Sequence, residues 1–257
     1  MNHNRYIAVI PARYASTRFP AKPLARLAGK TIIERVYKRV VPYFDTTIVA
    51  TDNEEILATV QAFGGQAVMT STHHRSGTDR CAEALEKVGG DYDVVVNVQG
   101  DEPFIHPSQL KDIRHCFEDS EGVRTDIATL VVPFPADADY EILANPNSPK
   151  VVVDARGYAL YFSRSVVPYL RGIDYEKWTS QHTYYKHIGL YAYRTSVLKQ
   201  ITQLQPSLLE KAESLEQLRW LENGYRIRTV VTAQETIGID TPEDLERAEK
   251  FLETNPM

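Results

Sequence analysis

A chain of 257 residues, 43% apolar and 25% charged, is long for one domain but fits one α/β unit with an insertion and can bury a substantial core. The net charge of −5, with no cations gathered on a helix face, argues against a nucleic-acid partner. No apolar run nears the roughly 20 residues that span a bilayer, and the N-terminus enters a strand within a few residues, so neither membrane nor secretion is expected and the chain reads as cytoplasmic.

The first strand is expected at Tyr6–Pro11. The loop that follows runs from Ala12 to Pro23 and carries Arg13, Arg18 and Lys22. Such a loop lies at the C-terminal end of its strand, where α/β sheets bind ligands. Guanidinium forks match phosphate oxygens, and an ammonium adds a mobile point charge. Pro11, Pro20 and Pro23 limit how far the loop can wander. It matches neither GxxxxGK[ST] nor GxGxxG. It reads as a polyphosphate cradle, the alternative being a solvated basic loop.

A helix is expected over Thr31–Phe44, with Ile33, Val36 and Val40 inward. A strand at Thr47–Ala50 follows, ending in Thr51-Asp52-Asn53, then a helix over Glu54–Phe63 and a short strand at Ala67–Thr70. Ser76-Gly77-Thr78-Asp79-Arg80 opens a helix over Asp79–Val88. Both polar segments are good turn or cap sequences. His73 and His74 are adjacent and read as loop residues. The strand at Asp93–Val98 is the most apolar of the chain and leads into Gln99-Gly100-Asp101-Glu102. Beside a phosphate cradle, Asp101 suits Mg²⁺, which takes one or two protein carboxylates; a turn residue is the alternative. Gly100 permits close backbone approach. A helix over Pro107–Phe117 and a strand over Ile127–Pro133 continue the alternation. The pattern predicts a Rossmann-like three-layer α/β sandwich on a mostly parallel sheet.

Residues 149–194 break the rhythm. Strands are expected at Val151–Asp154, Tyr158–Ser163 and His187–Tyr193, with Arg156-Gly157 as a hairpin turn. This antiparallel excursion could close over a site or form a dimer interface. His187 reads as a satisfied, half-buried histidine. A helix over Leu208–Leu221 has Leu215, Leu218 and Leu221 on one side, leaving Glu216 and Gln217 off it. After a strand at Tyr225–Val231, Thr241 caps a helix over Pro242–Leu252. Asp240 sits just outside that cap, as a second metal carboxylate or as a partner of the helix dipole. Cys81 and Cys116 belong to no metal or redox motif and read as buried apolar residues.

Eight segments in this order, IPARYASTRFPAKPL, IVATDN, SGTDRCAE, VVVNVQGDEP, YALYFSR, KHIGLYAYR, LEQLRWLENG and GIDTPEDLERA, resemble the 3-deoxy-manno-octulosonate (Kdo) cytidylyltransferases. The resemblance implies a single nucleotidyltransferase domain over 1–257, of nucleotide-diphospho-sugar transferase type. It implies joining of CMP from CTP to Kdo with release of diphosphate, for bacterial lipopolysaccharide biosynthesis, with Mg²⁺ as cofactor and a homodimer as the assembly. Arg13, Arg18 and Lys22 then match the triphosphate clamp, and Ser76, Gly77, Thr78 and Arg80 fall where the family contacts the nucleotide. Asp101 and Asp240 match the metal carboxylates, catalytic together with Arg13 and Lys22. Gln99, Arg164, His187, Tyr191, Glu216 and Gln217 match positions that hold the sugar acid. Lys186 and Ala21 depart from the family pattern, where Arg and Gly are common. Competing readings are a cytidylyltransferase for 8-amino-Kdo or a sialic acid, and a nucleotide sensor without catalysis; retention of both Asp101 and Asp240 argues against the sensor.

Overall fold

The computed structural model describes residues 4–15, 18–119, 125–235 and 238–255. Ser16 and Thr17 of the basic loop lie outside the described residues. In chain order the elements are β1 (Tyr6–Ala12), a 3-10 turn at Lys22–Leu24, β2 (Arg26–Leu27), β3 (Lys30–Thr31), α1 (Ile32–Val40), β4 (Thr46–Thr51), α2 (Glu54–Ala62), β5 (Ala67–Met69), α3 (Gly77–Val88) and β6 (Val94–Asn97). Then come α4 (Pro107–His115), β7 (Ile127–Pro133), α5 (Tyr140–Ala144), β8 (Lys150–Val153), β9 (Ala159–Ser163), α6 (Trp178–Gln181), β10 (Tyr185–Arg194), α7 (Thr195–Ile201), α8 (Leu208–Glu213), α9 (Glu216–Glu222), β11 (Ile227–Val231) and α10 (Pro242–Thr254). They cluster into two compact units, Met1–Lys111 with Thr236–Met257, and Asp112–Glu235.

The first unit holds the parallel strands β6, β1, β4 and β5, paired in that order. Tyr6 to Ile10 of β1 and all of β6 are buried, which is why these strands read as continuous apolar runs. Ile33, Val36 and Val40 of α1 and Cys81, Ala84 and Leu85 of α3 are buried beneath their helices. α1 stops at Val40 and passes into a 3-10 turn at Val41–Tyr43, because Pro42 has no N–H to continue the ladder. Polar residues at the helix starts are committed to caps: Asn53 accepts from the N–H groups of Glu55 and Ile56, Ser76 from Asp79, and Thr241 from Asp244. No described helix is long and apolar enough to cross a membrane.

In the second unit β7 pairs with β10 antiparallel and with β11 parallel, while β8 pairs with both β10 and β9 antiparallel. The expected antiparallel excursion is therefore present, with Gly157 at φ +82° in its turn. There Asp154 Oδ1 accepts from the N–H groups of Arg156 and Tyr158. α5, α6 and α7 are additional; with four to seven residues each, they are too short to show a helical period. The expected helix over Leu208–Leu221 is instead two, broken at Ser214, which is left-handed at φ 51°. The cause lies far away in sequence. Arg164 donates Nε to the Glu213 carbonyl and Nη2 to the Ser214 carbonyl, taking acceptors that a continuous helix would use itself.

One glycine fixes the geometry of the site. A Cβ on Gly100 would stand 2.6 Å from the Pro11 carbonyl oxygen, a backbone atom that cannot move aside cheaply. The loop after β6 is therefore pressed against the end of β1. Gly100→Ala should lower stability by about 1–3 kcal/mol, the range for overpacking a tight site. Urea unfolding checks this, and an unchanged midpoint would show that the contact is not tight.

Candidate active site

The C-terminal ends of β1 and β6, the start of α3 and the segment before α10 enclose a cavity of about 320 Å³. Arg13, Arg18, Lys22, Ser76, Gly77, Arg80, Gln99, Asp101 and Asp240 all line it. The structure thus brings together residues that lie far apart along the chain. Thr78 is buried in the first turn of α3 and does not line the cavity.

Lys22 is held at the 3-10 turn, with Pro23 beside it in the first turn and Ala21 left-handed at φ 56°. The Ala21 N–H closes the basic loop onto the Tyr14 carbonyl at 3.0 Å. Lys22 Nζ donates to Asp101 Oδ2 at 2.5 Å and to Asp240 Oδ1 at 3.0 Å, and its side chain is only 13% exposed. The two acidic loops are also tied directly, by the Ile239 N–H to the Asp101 carbonyl at 2.9 Å. Asp240 is steadied from behind: its N–H and that of Thr241 both reach Asp244 Oδ2 at 2.9 Å. Arg18 meets Asp240 at 3.1 Å but is 65% exposed, so this pair is loosely held.

Arg80 is 4% exposed, and its guanidinium donates to Thr70 Oγ1 at 2.6 Å and Asp52 Oδ2 at 2.7 Å. Asp52 thus has a structural partner, and Arg80 offers the cavity only its remaining donors. His74 and Arg75 also line the cavity, although adjacent histidines in a polar loop gave no sign of it. His74 Nε2 bonds Glu83 Oε2, which also accepts from the Ser71 N–H. Burial pushes the Glu83 carboxyl up, but hydrogen bonds from Lys87, Ser71 and His74 outweigh it and hold it down at about 2. The anion on α3 therefore anchors the loop that leads into Ser76. The available signal was positional: His74 stands two residues before the cap of α3.

The residues matched to the sugar acid divide between the units. Gln99 lines the cavity of the first; the others lie in the second. His187 is half-buried as a residue, but its ring packs against Phe162 and Tyr191, with centroids 5.3 and 5.2 Å away. Desolvation pulls its imidazole down to about 3, so it is neutral near pH 7. Its Nε2 lies 3.0 Å from Thr129 Oγ1, which also reaches the carbonyls of Ile188 and Leu190 at the β10 bulge. Among the described residues the Tyr191 hydroxyl is buried without a hydrogen-bond partner. Burial, with the charges of Tyr193 and Glu216, raises it well above the ordinary phenol. Gln217 is 4% exposed and its Nε2 likewise has no partner, so it turns inward where the leucine stripe suggested only that it left the stripe. Glu216 accepts from Arg219 Nη2 at 2.6 Å. Arg164 commits three donors to the carbonyls of Pro146, Glu213 and Ser214, leaving fewer for a ligand than the sequence suggested.

Comparison with known proteins gives a consistent picture. A family model described as cytidylyltransferase matches residues 7–227. The chain is 63% identical over 248 residues to the 3-deoxy-manno-octulosonate cytidylyltransferase of Bacteroides thetaiotaomicron, covering 96% of this chain and 98% of that one. It is 56% identical over 251 residues to the protein of the same name from Porphyromonas gingivalis, covering 98% of each. A solved structure of CMP:2-keto-3-deoxy-manno-octonic acid synthetase complexed with CTP is similar at TM-score 0.89 and 41% identity, covering 98% of this chain and 99% of that one.

His187 sets a pH dependence of stability. The free imidazole takes its proton near 6.5 and the folded one near 3. Between those values the unfolded chain binds more protons, so this group's contribution falls as pH is lowered through the window. His187→Gln removes that term. Its urea midpoint should decline less steeply than the wild type's from pH 6.5 toward 3; parallel curves would mean that the ring is not desolvated.

Proposed function

The chain belongs to the 3-deoxy-manno-octulosonate cytidylyltransferase family, and from that premise we propose how its residues transfer CMP from CTP to Kdo, releasing diphosphate, in the synthesis of bacterial lipopolysaccharide. The observation that carries the proposal is the Lys22 ammonium held between Asp101 and Asp240 at the rim of the cavity. Phosphoryl transfer needs little covalent help from a protein; positioning and charge stabilisation supply most of the rate.

Lys22, Arg13 and Arg18 bind the triphosphate and stabilise charge as it builds on the departing diphosphate. Ser76 caps the start of α3, and a helix N-terminus at the cavity wall favours an anion. Arg80, braced by Asp52 and Thr70, holds the nucleotide wall in place. Asp101 and Asp240 fit Mg²⁺: both are hard oxygen donors already converging on one cation. Two carboxylates suffice for an ion that completes its shell with phosphates and water. When bound, Mg²⁺ supplies Lewis-acid charge neutralisation and acidifies a coordinated hydroxyl. A triphosphate competes with the two carboxylates for Lys22 and so frees them for this role.

The acceptor end works with neutral groups. The Tyr191 hydroxyl and Gln217 Nε2 are buried and, among the described residues, unpartnered, and a sugar's hydroxyls satisfy such groups. His187 contributes a neutral ring, Gln99 and Glu216 further polar contacts, and Arg164 its remaining donors to the sugar carboxylate. We read the chain as one nucleotidyltransferase domain that acts as a homodimer. The support for a second copy is the exposed Tyr169 and Tyr175, packed on Trp178 of the aromatic cluster, since apolar patches of this kind favour partner surfaces. CTP as substrate and two free cysteines support work in the cytoplasm.

Diphosphate release with CTP and a panel of 2-keto sugar acids should favour Kdo over 8-amino-Kdo and sialic acid. Asp101→Asn and Asp240→Asn should each lower kcat at saturating Mg²⁺ by about a hundredfold or more, the order lost with one electrostatic stabiliser, without changing the fold. Unchanged turnover in either variant would remove that residue from the metal site.

A further inference from the structure

Lys150 is fully buried, at 0% exposure, in the first position of β8. Burying an ammonium is expensive unless it is well hydrogen-bonded. Its Nζ donates to the carbonyls of Asn145 at 3.1 Å and Arg164 at 2.8 Å, and it forms no ion pair among the described residues. Burial lowers its pKa, opposed by the charge of Glu213 and reinforced by that of Arg164. The reaction as described makes no use of this lysine, yet a cation here ties together the ends of three segments.

Every polar group of Arg164 joins that corner. Its carbonyl accepts from Lys150, and its N–H donates to Glu213 Oε2 at 2.8 Å. Its guanidinium takes the carbonyls of Pro146, Glu213 and Ser214. Glu213 Oε1 accepts from Ser163 Oγ at 2.7 Å. Ser214, left-handed, and Leu215 then lead directly into α9 and its first two residues, Glu216 and Gln217. On the other side of Lys150, the Pro149 carbonyl accepts from the His187 N–H at 2.9 Å.

We propose that Lys150 is a positioning residue for the acceptor end of the site: its buried ammonium clamps the Asn145 and Arg164 carbonyls and so sets the corner from which α9 places Glu216 and Gln217. This rests on the reading of those residues as the sugar-acid end. Removing the clamp strands two carbonyls and loosens the Arg164 segment. The nucleotide cavity, built wholly from the first unit, does not depend on it.

The test compares wild type, Lys150→Met, which keeps the length and loses the donors, and Lys150→Gln, which keeps two donors. Lys150→Met should raise KM for Kdo about tenfold or more and leave KM for CTP within about twofold. Lys150→Gln should recover most of the loss. Backbone amides over 213–217 should exchange faster with deuterium in Lys150→Met, while those over 94–101 should not change. If Lys150→Met does not accumulate as folded protein, Lys150→Gln and Glu213→Gln should show the same split in milder form. An unchanged KM for Kdo, an equal rise in both KM values, or a failure of all three variants to fold would overturn the proposal. The exchange measurement separates it from the functional reading. Faster exchange at 213–217 in an enzyme whose wild type uses none of the sugar acids would leave the corner standing and remove the reading; unchanged exchange would remove the corner.

Discussion

One ammonium shared by two carboxylates organises the cavity of the first unit. Lys22, Asp101 and Asp240 come from chain positions with no local reason to meet. Parallel strands bring the first two to one edge, Gly100 lets the β6 loop lie against β1, and the Ile239 N–H ties the α10 segment to Asp101. The degree of burial decides which contacts matter. Lys22 is largely covered and bonded to both carboxylates, so the node is preorganised. Arg18 is mostly in water, where an ion pair contributes about 0–1 kcal/mol, and it is free to turn to an incoming phosphate.

The two ends of the reaction use different physics. Charge dominates where a triphosphate is to be bound and diphosphate released. In the second unit, where we propose the sugar acid binds, the imidazole is held neutral, the phenol is held protonated and an amide is buried, all by desolvation or packing. Leaving such donors unpartnered costs about 1–3 kcal/mol each. A ligand that satisfies them regains that energy, and an analogue lacking the matching oxygen does not. Buried polar groups discriminate by this route more sharply than apolar pockets do.

Much of this was legible in the sequence, for definite reasons. Strands buried on both faces announce themselves as apolar runs, and Ile127–Pro133 is the strand that the pattern outlines. The cationic loop and Asp101 stood out because each follows such a strand. Helix starts were readable from Ser76 and Thr241. Contacts made at a distance were not. Nothing near Ser214 foretells a broken helix, because its cause is Arg164. The Arg80–Asp52 ion pair is not legible in the sequence, and His74 reads as a plain loop residue until Glu83 is seen bonded to it beside the cavity. Lys150, one residue of an apolar strand, gives no sign that its charge is inside.

The claim at the centre of this account is that Lys22 acts on charge that develops during transfer and not merely on bound CTP. Steady-state kinetics of Lys22→Ala with CTP and Kdo test it most directly. kcat should fall by a larger factor than KM for CTP rises, because the interaction strengthens as diphosphate departs. A loss confined to KM, with kcat unchanged, would contradict it.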